Sequence, residues 1–197
     1  MQPEPYTQTQ YVAAFRELAA RIAASLATVP SDALPIRMYV AGGAALHFHT
    51  GERVSVDVDA AFSRRIVLPE GLEVAYRDPD GAARLLYLDR QYNETFALMH
   101  EDAHRDSVPL ALAGIDPSVL DVRVLAPVDL AVTKLGRFSA QDRVDIASLV
   151  RRGLVTPEAL ETRATQALTG YIGDARRLQA HIALAVELVA QHSAARK

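Results

Sequence analysis

Asp57 and Asp59 stand one residue apart in a valine-rich stretch of the chain. Side chains alternate between the two faces of a strand, so both carboxylates would lie on one face, with α-carbons roughly 6.6 Å apart. Burying two carboxylates that repel each other costs free energy. A divalent cation between them offsets this repulsion, and hard oxygen ligands suit Mg²⁺ or Mn²⁺. The spacing therefore predicts a metal site at Asp57 and Asp59.

Gly42 and Gly43 precede this stretch, between a short apolar run and a short helical pattern. Without a β-carbon, glycine lets backbone amides approach a phosphate closely at the positive end of a helix. Protein-bound Mg²⁺ is commonly shared with substrate phosphates. Ser55 lies on the same strand face as the two aspartates. Together these residues predict a site for a nucleoside triphosphate, with Gly42, Gly43 and Ser55 as nucleotide-binding residues.

Hydrophobic periodicity and turn residues predict the elements that must position these groups. The sequence DPDG suits a tight turn and predicts a hairpin. The predicted strands are 37–41, 54–62, 72–77, 84–88 and 119–125, with weaker candidates at 96–99 and 108–112. The predicted helices are 9–28, 44–50, 127–138, 140–152 and two more that begin at Thr156 and Asp174.

This order of elements predicts an α/β (α+β) fold in which helices flank a mixed β-sheet. The chain of 197 residues is long enough for one sizeable domain, and half of its residues are hydrophobic. No linker-like segment interrupts it. We therefore expect a single domain over 1–197, with an N-terminal helix and sheet core over 1–125 and a helical part over 126–197.

The arrangement of strand, Gly-Gly, short helix and Asp-x-Asp resembles the signature of the DNA polymerase β-like nucleotidyltransferase superfamily. Ala41-Gly42-Gly43 fills the first part of that signature and Asp57-Val58-Asp59 the second. The segment from Pro127 to Lys134, followed by 141–146, is similar to the "DL…K…RD…DI" pattern of bacterial AbiEii-type nucleotidyltransferase toxins and their small uncharacterised relatives. The resemblance covers about residues 37–150. Two departures are Gly43, where the toxins commonly have Ser, and Gln141, where Arg is usual.

The resemblance implies a nucleotidyltransferase-like fold and a role for each residue that matches. Asp57 and Asp59 would bind the metal, and Lys134 would contact the nucleotide phosphates. A later aspartate would complete the site, and Asp142 and Asp145 are equal candidates for it. Asp121, on the predicted strand 119–125, is the best candidate for the third carboxylate of the polymerase-like metal site.

Several of these residues also have a purely structural interpretation. Lys134 could be an ordinary surface lysine, although the chain uses Arg almost everywhere else and Lys197 is its only other lysine. Asp142 stands three residues after Ser139, where the first turn of a helix favours any carboxylate. The remaining polar candidates are two histidine pairs, His47 with His49 and His100 with His104, and the arginine pair Arg64 with Arg65.

The histidine pairs are expected to be structural. His47 and His49 are two residues apart on a short helix and so face different directions, whereas a helical metal pair needs a spacing of three or four. His100 and His104 have that spacing but lie between predicted strands and lack the HExxH order. Arg64 and Arg65 could touch phosphates or a nucleic acid, and a solvated pair is an equal alternative.

Composition excludes some functions and leaves others open. The formal net charge is −3, so the whole chain has no general attraction for nucleic acid. There is no cysteine, which excludes disulfides and thiolate metal sites. No apolar stretch approaches the length of a membrane span, and no secretion signal is evident, so we expect a cytoplasmic protein without a membrane partner.

The sequence therefore predicts a metal-dependent nucleotidyltransferase that moves a nucleotidyl group from a nucleoside triphosphate to an acceptor hydroxyl. The resemblance suggests RNA, tRNA or a protein as acceptor, and a toxin role with an antitoxin protein as partner. One alternative is a binding module that keeps the fold and has lost catalysis. Another is a metal-dependent phosphohydrolase that uses the same carboxylates.

Overall fold

The structure, a computed structural model, describes residues 1–3, 6–94 and 97–194, which form seven strands and six α-helices. The helices are α1 (Thr9–Ser25), α2 (Gly42–Thr50), α3 (Pro127–Thr133), α4 (Ala140–Arg151), α5 (Pro157–Leu168) and α6 (Ala175–Ala194). The strands are β1 (Ile36–Val40), β2 (Asp57–Val58), β3 (Ala60–Phe62), β4 (Glu73–Arg77), β5 (Ala83–Leu88), β6 (Val108–Pro109) and β7 (Leu120–Val124). The predicted α/β (α+β) class is confirmed.

The chain divides into two compact units, and the first comprises residues 1–92 and 107–124. This unit holds α1, α2 and two mixed sheets. The four-stranded sheet has the order β3-β1-β7-β6, in which β1 runs parallel to β7 and antiparallel to β3. The three-stranded sheet has the order β2-β5-β4, in which β5 runs parallel to β2 and antiparallel to β4.

Helix α1 packs against the hairpin of β4 and β5. Its apolar residues recur at helical spacing and are buried, among them Tyr11, Phe15, Leu18 and Ile22. Alternate residues of the hairpin are buried as well, namely Val74, Leu86 and Leu88. The opposite face of this sheet therefore carries the polar and exposed side chains.

The prediction of one continuous strand over 54–62 is wrong. The chain forms β2 in the three-stranded sheet, leaves it at Asp59 and continues as β3 in the four-stranded sheet. Residues 54–56 lie outside both strands, and Arg53 has a positive φ of 30°. Valine recurs at every second position from Val54 to Val58. This pattern does not reveal the change of sheet, because side chains alternate within each short strand on either side of it.

Two further strands are shorter than predicted or absent. The strand expected at 108–112 is confined to β6. Of the strand expected at 96–99, Phe96 lies outside the described residues, and 97–99 form no strand. The hairpin around DPDG is confirmed, with Gly81 in a left-handed conformation at φ 81°.

The second unit comprises residues 93–106 and 125–197 and holds α3 to α6. Helix α6 packs against α4 and α5, and α3 packs against the same two helices. The predicted helix starts are confirmed: Pro127 is at the first position of α3, and the Ser139 and Thr156 side chains cap α4 and α5. None of the described helices is long and apolar enough to cross a membrane.

Helix α3 is shorter than the predicted 127–138. The backbone N–H of Lys134 donates to Ala131, and that of Leu135 to Val132, so the last turn tightens into i→i−3 bonds and the helix ends at Thr133. Phe138 then takes a positive φ of 50°. Lys134 therefore caps the end of the helix, where we expected it inside a longer one.

Candidate functional site

Gly42 and Asp59 occupy adjoining space at the start of α2. Gly42 has a left-handed φ of 57°, and a β-carbon on it would lie 1.8 Å from Oδ2 of Asp59. The backbone N–H of Ala41 donates to the carbonyl oxygen of Asp59 at 2.9 Å, which fixes the two segments together. Glycine is needed at 42 both for its backbone conformation and because the Asp59 carboxylate fills the place of a side chain.

Gly43 stands in the same relation to Ser55. A β-carbon on Gly43 would lie 2.7 Å from Cβ and 2.8 Å from Oγ of Ser55, and 2.9 Å from a guanidinium nitrogen of Arg53. The Ser55 hydroxyl in turn donates to Oδ1 of Asp57. Ser55 thus connects Gly43 with the Asp57 carboxylate. The Ser55 hydroxyl also lies next to the place where a serine side chain at 43 would begin.

The structure therefore brings together Gly42, Gly43, Ser55, Asp57 and Asp59. Both aspartates are half-buried, and their negative charge is favoured at the positive end of α2. Two carboxylates and a hydroxyl are hard oxygen donors, which suit Mg²⁺ or Mn²⁺. Among the described residues, no cluster of three or more His, Cys, Asp or Glu side chains could hold a metal. A pair of carboxylates fits Mg²⁺, which usually takes one or two of them and completes its shell with water and substrate phosphates.

Asp121 is not brought to this pair. In the register of β1 with β7, Asp121 stands opposite Arg37, whereas Asp59 is bonded to Ala41, four residues further along the chain. Four residues of strand span about 13 Å. The Asp121 carboxylate instead lies 3.2 Å from the guanidinium of Arg123 and 3.7 Å from that of Arg37. These two cations neutralise it where it stands.

Tyr87 is a neighbour of Asp57 that sequence reasoning missed. The two residues are register partners on the parallel strands β2 and β5, and register partners project from the same face of a sheet. In the structure Leu86 and Leu88 are buried whereas Leu85 and Tyr87 are exposed, but the run from Leu85 to Leu88 is apolar at every position, so the sequence does not show which face is open. The pairing of β5 with β2 is a long-range contact that no local pattern reveals.

Lys134 and Asp145 form a buried ion pair in the second unit. The Lys134 ammonium donates to Oδ2 of Asp145 at 2.6 Å, and the two side chains are 7% and 2% exposed. The Gln141 amide donates to Oδ1 of the same carboxylate at 2.8 Å. Both oxygens of Asp145 therefore have a donor, which offsets the cost of burying the charges. The phosphate-binding role of Lys134 stays a prediction.

Asp142 caps helix α4. It forms a capping box with Ser139, in which each side chain bonds the backbone N–H of the other residue. The Arg137 guanidinium donates to both of its oxygens at 2.8 Å. Burial raises the pKa of Asp142, but the hydrogen bonds from Arg137 and Ser139 outweigh it and lower the pKa to about 2. Asp142 therefore has the helix-capping contacts that its position three residues after Ser139 predicts, and its role in the site stays a prediction.

His47 is engaged at both ring nitrogens. Its Nε2 accepts from the backbone N–H of Gln8 at 3.0 Å, so Nδ1 carries the proton and donates to the carbonyl of Glu52 at 3.0 Å. Burial lowers the pKa of His47. His47 is therefore a neutral residue that joins the N-terminal segment to the end of α2.

The second histidine pair is also held by its neighbours. Nδ1 of His100 accepts from the backbone N–H of Asp102 at 3.1 Å, and Nε2 of His104 lies 3.1 Å from the Glu94 carboxylate. These contacts occupy one nitrogen of each ring in a structural bond. They give the pair a role within the second unit that needs no metal.

Comparison with known families gives a match over residues 17–187 to a model described as a nucleotidyltransferase of unknown function (DUF6036). The chain belongs to this family. The DUF6036 match includes both the Gly42–Asp59 segment and the segment from Lys134 to Asp145. Membership confirms the nucleotidyltransferase part of the resemblance and leaves the AbiEii-type part a prediction. No curated protein and no solved structure gave a match.

Proposed function

We propose that this DUF6036 protein is a metal-dependent nucleotidyltransferase with its metal site at Asp57 and Asp59. The observation that carries the proposal is the contact of Asp59 with Gly42, and of Asp57 through Ser55 with Gly43, at the start of α2. This arrangement combines oxygen ligands for Mg²⁺ or Mn²⁺ with the end of a helix that favours phosphate. A nucleoside triphosphate needs both.

The reaction joins an acceptor hydroxyl to the α-phosphorus of the triphosphate. The new P–O bond forms as the bond to pyrophosphate breaks, and the hydroxyl proton passes to solvent. A divalent cation at the two aspartates would favour the deprotonated acceptor oxygen and neutralise the leaving pyrophosphate. Asp57 and Asp59 hold that cation, and Ser55 orients Asp57. The first amides of α2 stabilise negative charge on the phosphates.

The acceptor in this proposal is a hydroxyl of RNA, tRNA or a protein, in the cytoplasm. A toxin role, with an antitoxin protein as partner, extends the proposal along the resemblance to AbiEii-type proteins. Lys134 would contact the phosphates in the same scheme, with Asp145 beside it. These parts rest on the Lys134 and Asp145 motif and on the family membership.

A second candidate function is nucleotide binding without turnover. The observation that favours it is the pairing of Asp121 with Arg37 and Arg123, which engages the carboxylate predicted to be the third metal ligand. A nucleotidyltransferase fold with only two metal ligands could bind a triphosphate through Mg²⁺ and leave it intact.

Labelled triphosphates test these functions directly. The protein is incubated with each α-labelled nucleoside triphosphate, Mg²⁺ and either total cellular RNA or total protein. If the protein transfers a nucleotidyl group, label should appear in an acceptor and pyrophosphate should be released. Both products should be lost in Asp57→Asn and Asp59→Asn. Asp116→Asn is the control, because the Asp116 carboxylate accepts from the backbone N–H and the hydroxyl of Ser118 in a surface turn. Equal transfer by the wild type and both site variants would overturn the metal assignment.

The remaining outcomes separate the alternatives. Mg²⁺-dependent binding without product identifies the binding module. Phosphate release without a labelled acceptor identifies a phosphohydrolase, because hydrolysis uses water as the acceptor.

A further inference from the structure

The three-stranded sheet has one face buried against α1 and one face that carries exposed apolar side chains. On β5, Leu86 and Leu88 are buried, whereas Leu85 is 45% and Tyr87 37% exposed. Exposed aromatic rings commonly mark binding surfaces, because a ring can stack on a planar ligand. Tyr87 thus offers a flat surface on the open side of the sheet.

Tyr87 stands in a row with two carboxylates. Its register partner on β2 is Asp57, and its partner on β4 is Glu73. Register partners share a face, and neighbouring strands are about 4.8 Å apart. The backbone of Tyr87 therefore lies about 5 Å from that of Asp57, and the backbone of Glu73 about 10 Å from it. Tyr87 therefore stands between Asp57, the candidate metal ligand, and Glu73.

A cavity of about 260 Å³ opens beside this row. Its polar lining includes Glu73, Tyr87, Asp89, Arg90 and Gln91. One aromatic side chain with a few polar groups is the usual lining of a small-molecule site. The two carboxylates accept hydrogen bonds, the Gln91 amide can donate or accept, and the Arg90 guanidinium, a donor, is bonded to the carbonyl oxygen of Pro69. The cavity thus combines a stacking surface with acceptors for N–H groups.

The wall of the cavity is held in place by hydrogen bonds. Arg21, on α1, donates to the carbonyl oxygens of Gly71 at 2.7 Å and Glu73 at 3.0 Å. The Asp89 carboxylate accepts from the backbone N–H of Gln91 at 2.8 Å, and the backbone N–H of Asp89 donates to Val58, next to Asp57, at 3.0 Å. These bonds tie the cavity to α1 and to the strand that carries the candidate metal ligand.

We infer that this cavity holds the base of the nucleotide whose phosphates lie at Asp57 and Asp59. The inference rests on the proposed function and adds to it the base subsite and a preference among bases. The base stacks on Tyr87 and its edge faces Glu73 and Asp89. Guanine, adenine and cytosine present an exocyclic amino donor to these acceptors. Uracil has no exocyclic amino group and offers on that edge a single N–H between two carbonyl oxygens, so it makes fewer hydrogen bonds to these carboxylates.

Equilibrium binding of the four nucleoside triphosphates in Mg²⁺, without acceptor, tests the inference. Tyr87→Ala should weaken binding of the preferred triphosphate roughly 5- to 150-fold, the range typical of base stacking on an aromatic ring. Tyr87→Phe should stay within about two-fold of wild type, because it keeps the ring. Inorganic triphosphate should bind wild type and Tyr87→Ala equally, which also shows that the variant is folded.

Two further variants sharpen the test. Leu85→Ala is the matched control, since Leu85 is an exposed side chain on the same face of β5 that does not line the cavity, and it should bind all four triphosphates like wild type. Glu73→Gln should narrow the preference for amino-bearing bases over uracil, because a glutamine amide also donates to carbonyl oxygens.

The outcomes separate this inference from the function on which it rests. If Asp57→Asn abolishes binding while Tyr87→Ala binds all four triphosphates like wild type, the base lies elsewhere and the metal site stands. Equal losses in Leu85→Ala and Tyr87→Ala, or a loss of inorganic triphosphate in Tyr87→Ala, would also overturn the base subsite. Unchanged binding in Asp57→Asn would overturn the metal site itself.

Discussion

The Lys134 ammonium lies 2.6 Å from Oδ2 of Asp145, and both side chains are buried. Removing two charges from water costs several kcal/mol, and the pair is stable only because each charge compensates the other. Gln141 adds a donor to the second oxygen of Asp145. The two motif residues are thus bound to each other, so the contribution of Lys134 to stability must be measured beside its contribution to binding.

Lys134→Met should lower the free energy of unfolding by about 3–5 kcal/mol, because it leaves the Asp145 charge buried without a partner. Asp145→Asn should cost a similar amount for the converse reason. The double variant should cost less than the sum of the two, since neither unpaired charge remains. Urea denaturation of the four proteins measures this coupling.

Glu17→Gln is the control for the ion pair. Glu17 pairs with Arg21 at 3.0 Å, but the two side chains are 54% and 41% exposed. Exposed pairs contribute about 0–1 kcal/mol. A Lys134→Met protein as stable as Glu17→Gln would contradict the buried ion pair of Lys134 with Asp145.

Asp142 should make the stability of the protein depend on pH in acid. Its pKa falls from an ordinary value of 3.8 to about 2 on folding, so the folded state favours the ionised carboxylate. The resulting stabilisation, about 2 kcal/mol, is complete above pH 4 and is lost as the pH falls towards 2. Asp142→Asn lacks this titration. Urea denaturation between pH 6 and pH 3 should show the gap between wild type and Asp142→Asn closing in acid, whereas a constant gap would contradict the assignment.

Ser55 should tune metal affinity through Asp57. Its hydroxyl donates to Oδ1 of Asp57 and so orients the carboxylate. Loss of a hydrogen bond to a metal ligand typically weakens metal binding 10–100-fold, and we expect this range for Ser55→Ala. Ser118→Ala is the matched control, because that hydroxyl donates at 2.7 Å to Asp116 on the surface. Titration with Mn²⁺ in the presence of a triphosphate measures both variants, and equal affinities would leave Ser55 with a packing role alone.

Local patterns predict much of this fold because they act over a few residues. The helical spacing of Phe15, Leu18 and Ile22 predicts α1, and the turn residues of DPDG predict the hairpin. The Gly42 to Asp59 segment also follows from its spacing, because strand, glycine turn and helix are consecutive along the chain. Capping chemistry predicts the start of α4 at Ser139.

What sequence reasoning missed depends on strand pairing and on distant partners. The change of sheet at Asp59 follows from β2 pairing with β5 and β3 pairing with β1, neither of which alternation encodes. The sequence suggests Asp121 as a metal ligand, but in the structure its register partner is Arg37. The neighbour relation of Tyr87 with Asp57 joins residues thirty positions apart. Such contacts are decided by packing of the whole sheet.

The contact of Gly42 with Asp59 gives the most direct test of the site. Gly42→Ala places a methyl group where Oδ2 of Asp59 lies and also forces a left-handed backbone on alanine. The backbone alone costs roughly 1–2 kcal/mol. Gly114→Ala carries the same kind of backbone cost, since Gly114 has φ 82°, but a β-carbon there meets no atom within 4 Å. Both variants should therefore lose stability in urea, whereas only Gly42→Ala should lose Mg²⁺-dependent triphosphate binding. Retention of that binding by Gly42→Ala would show that Asp59 can leave Gly42 without loss of the site, and the proposed link between the glycine turn and the metal ligands would fail.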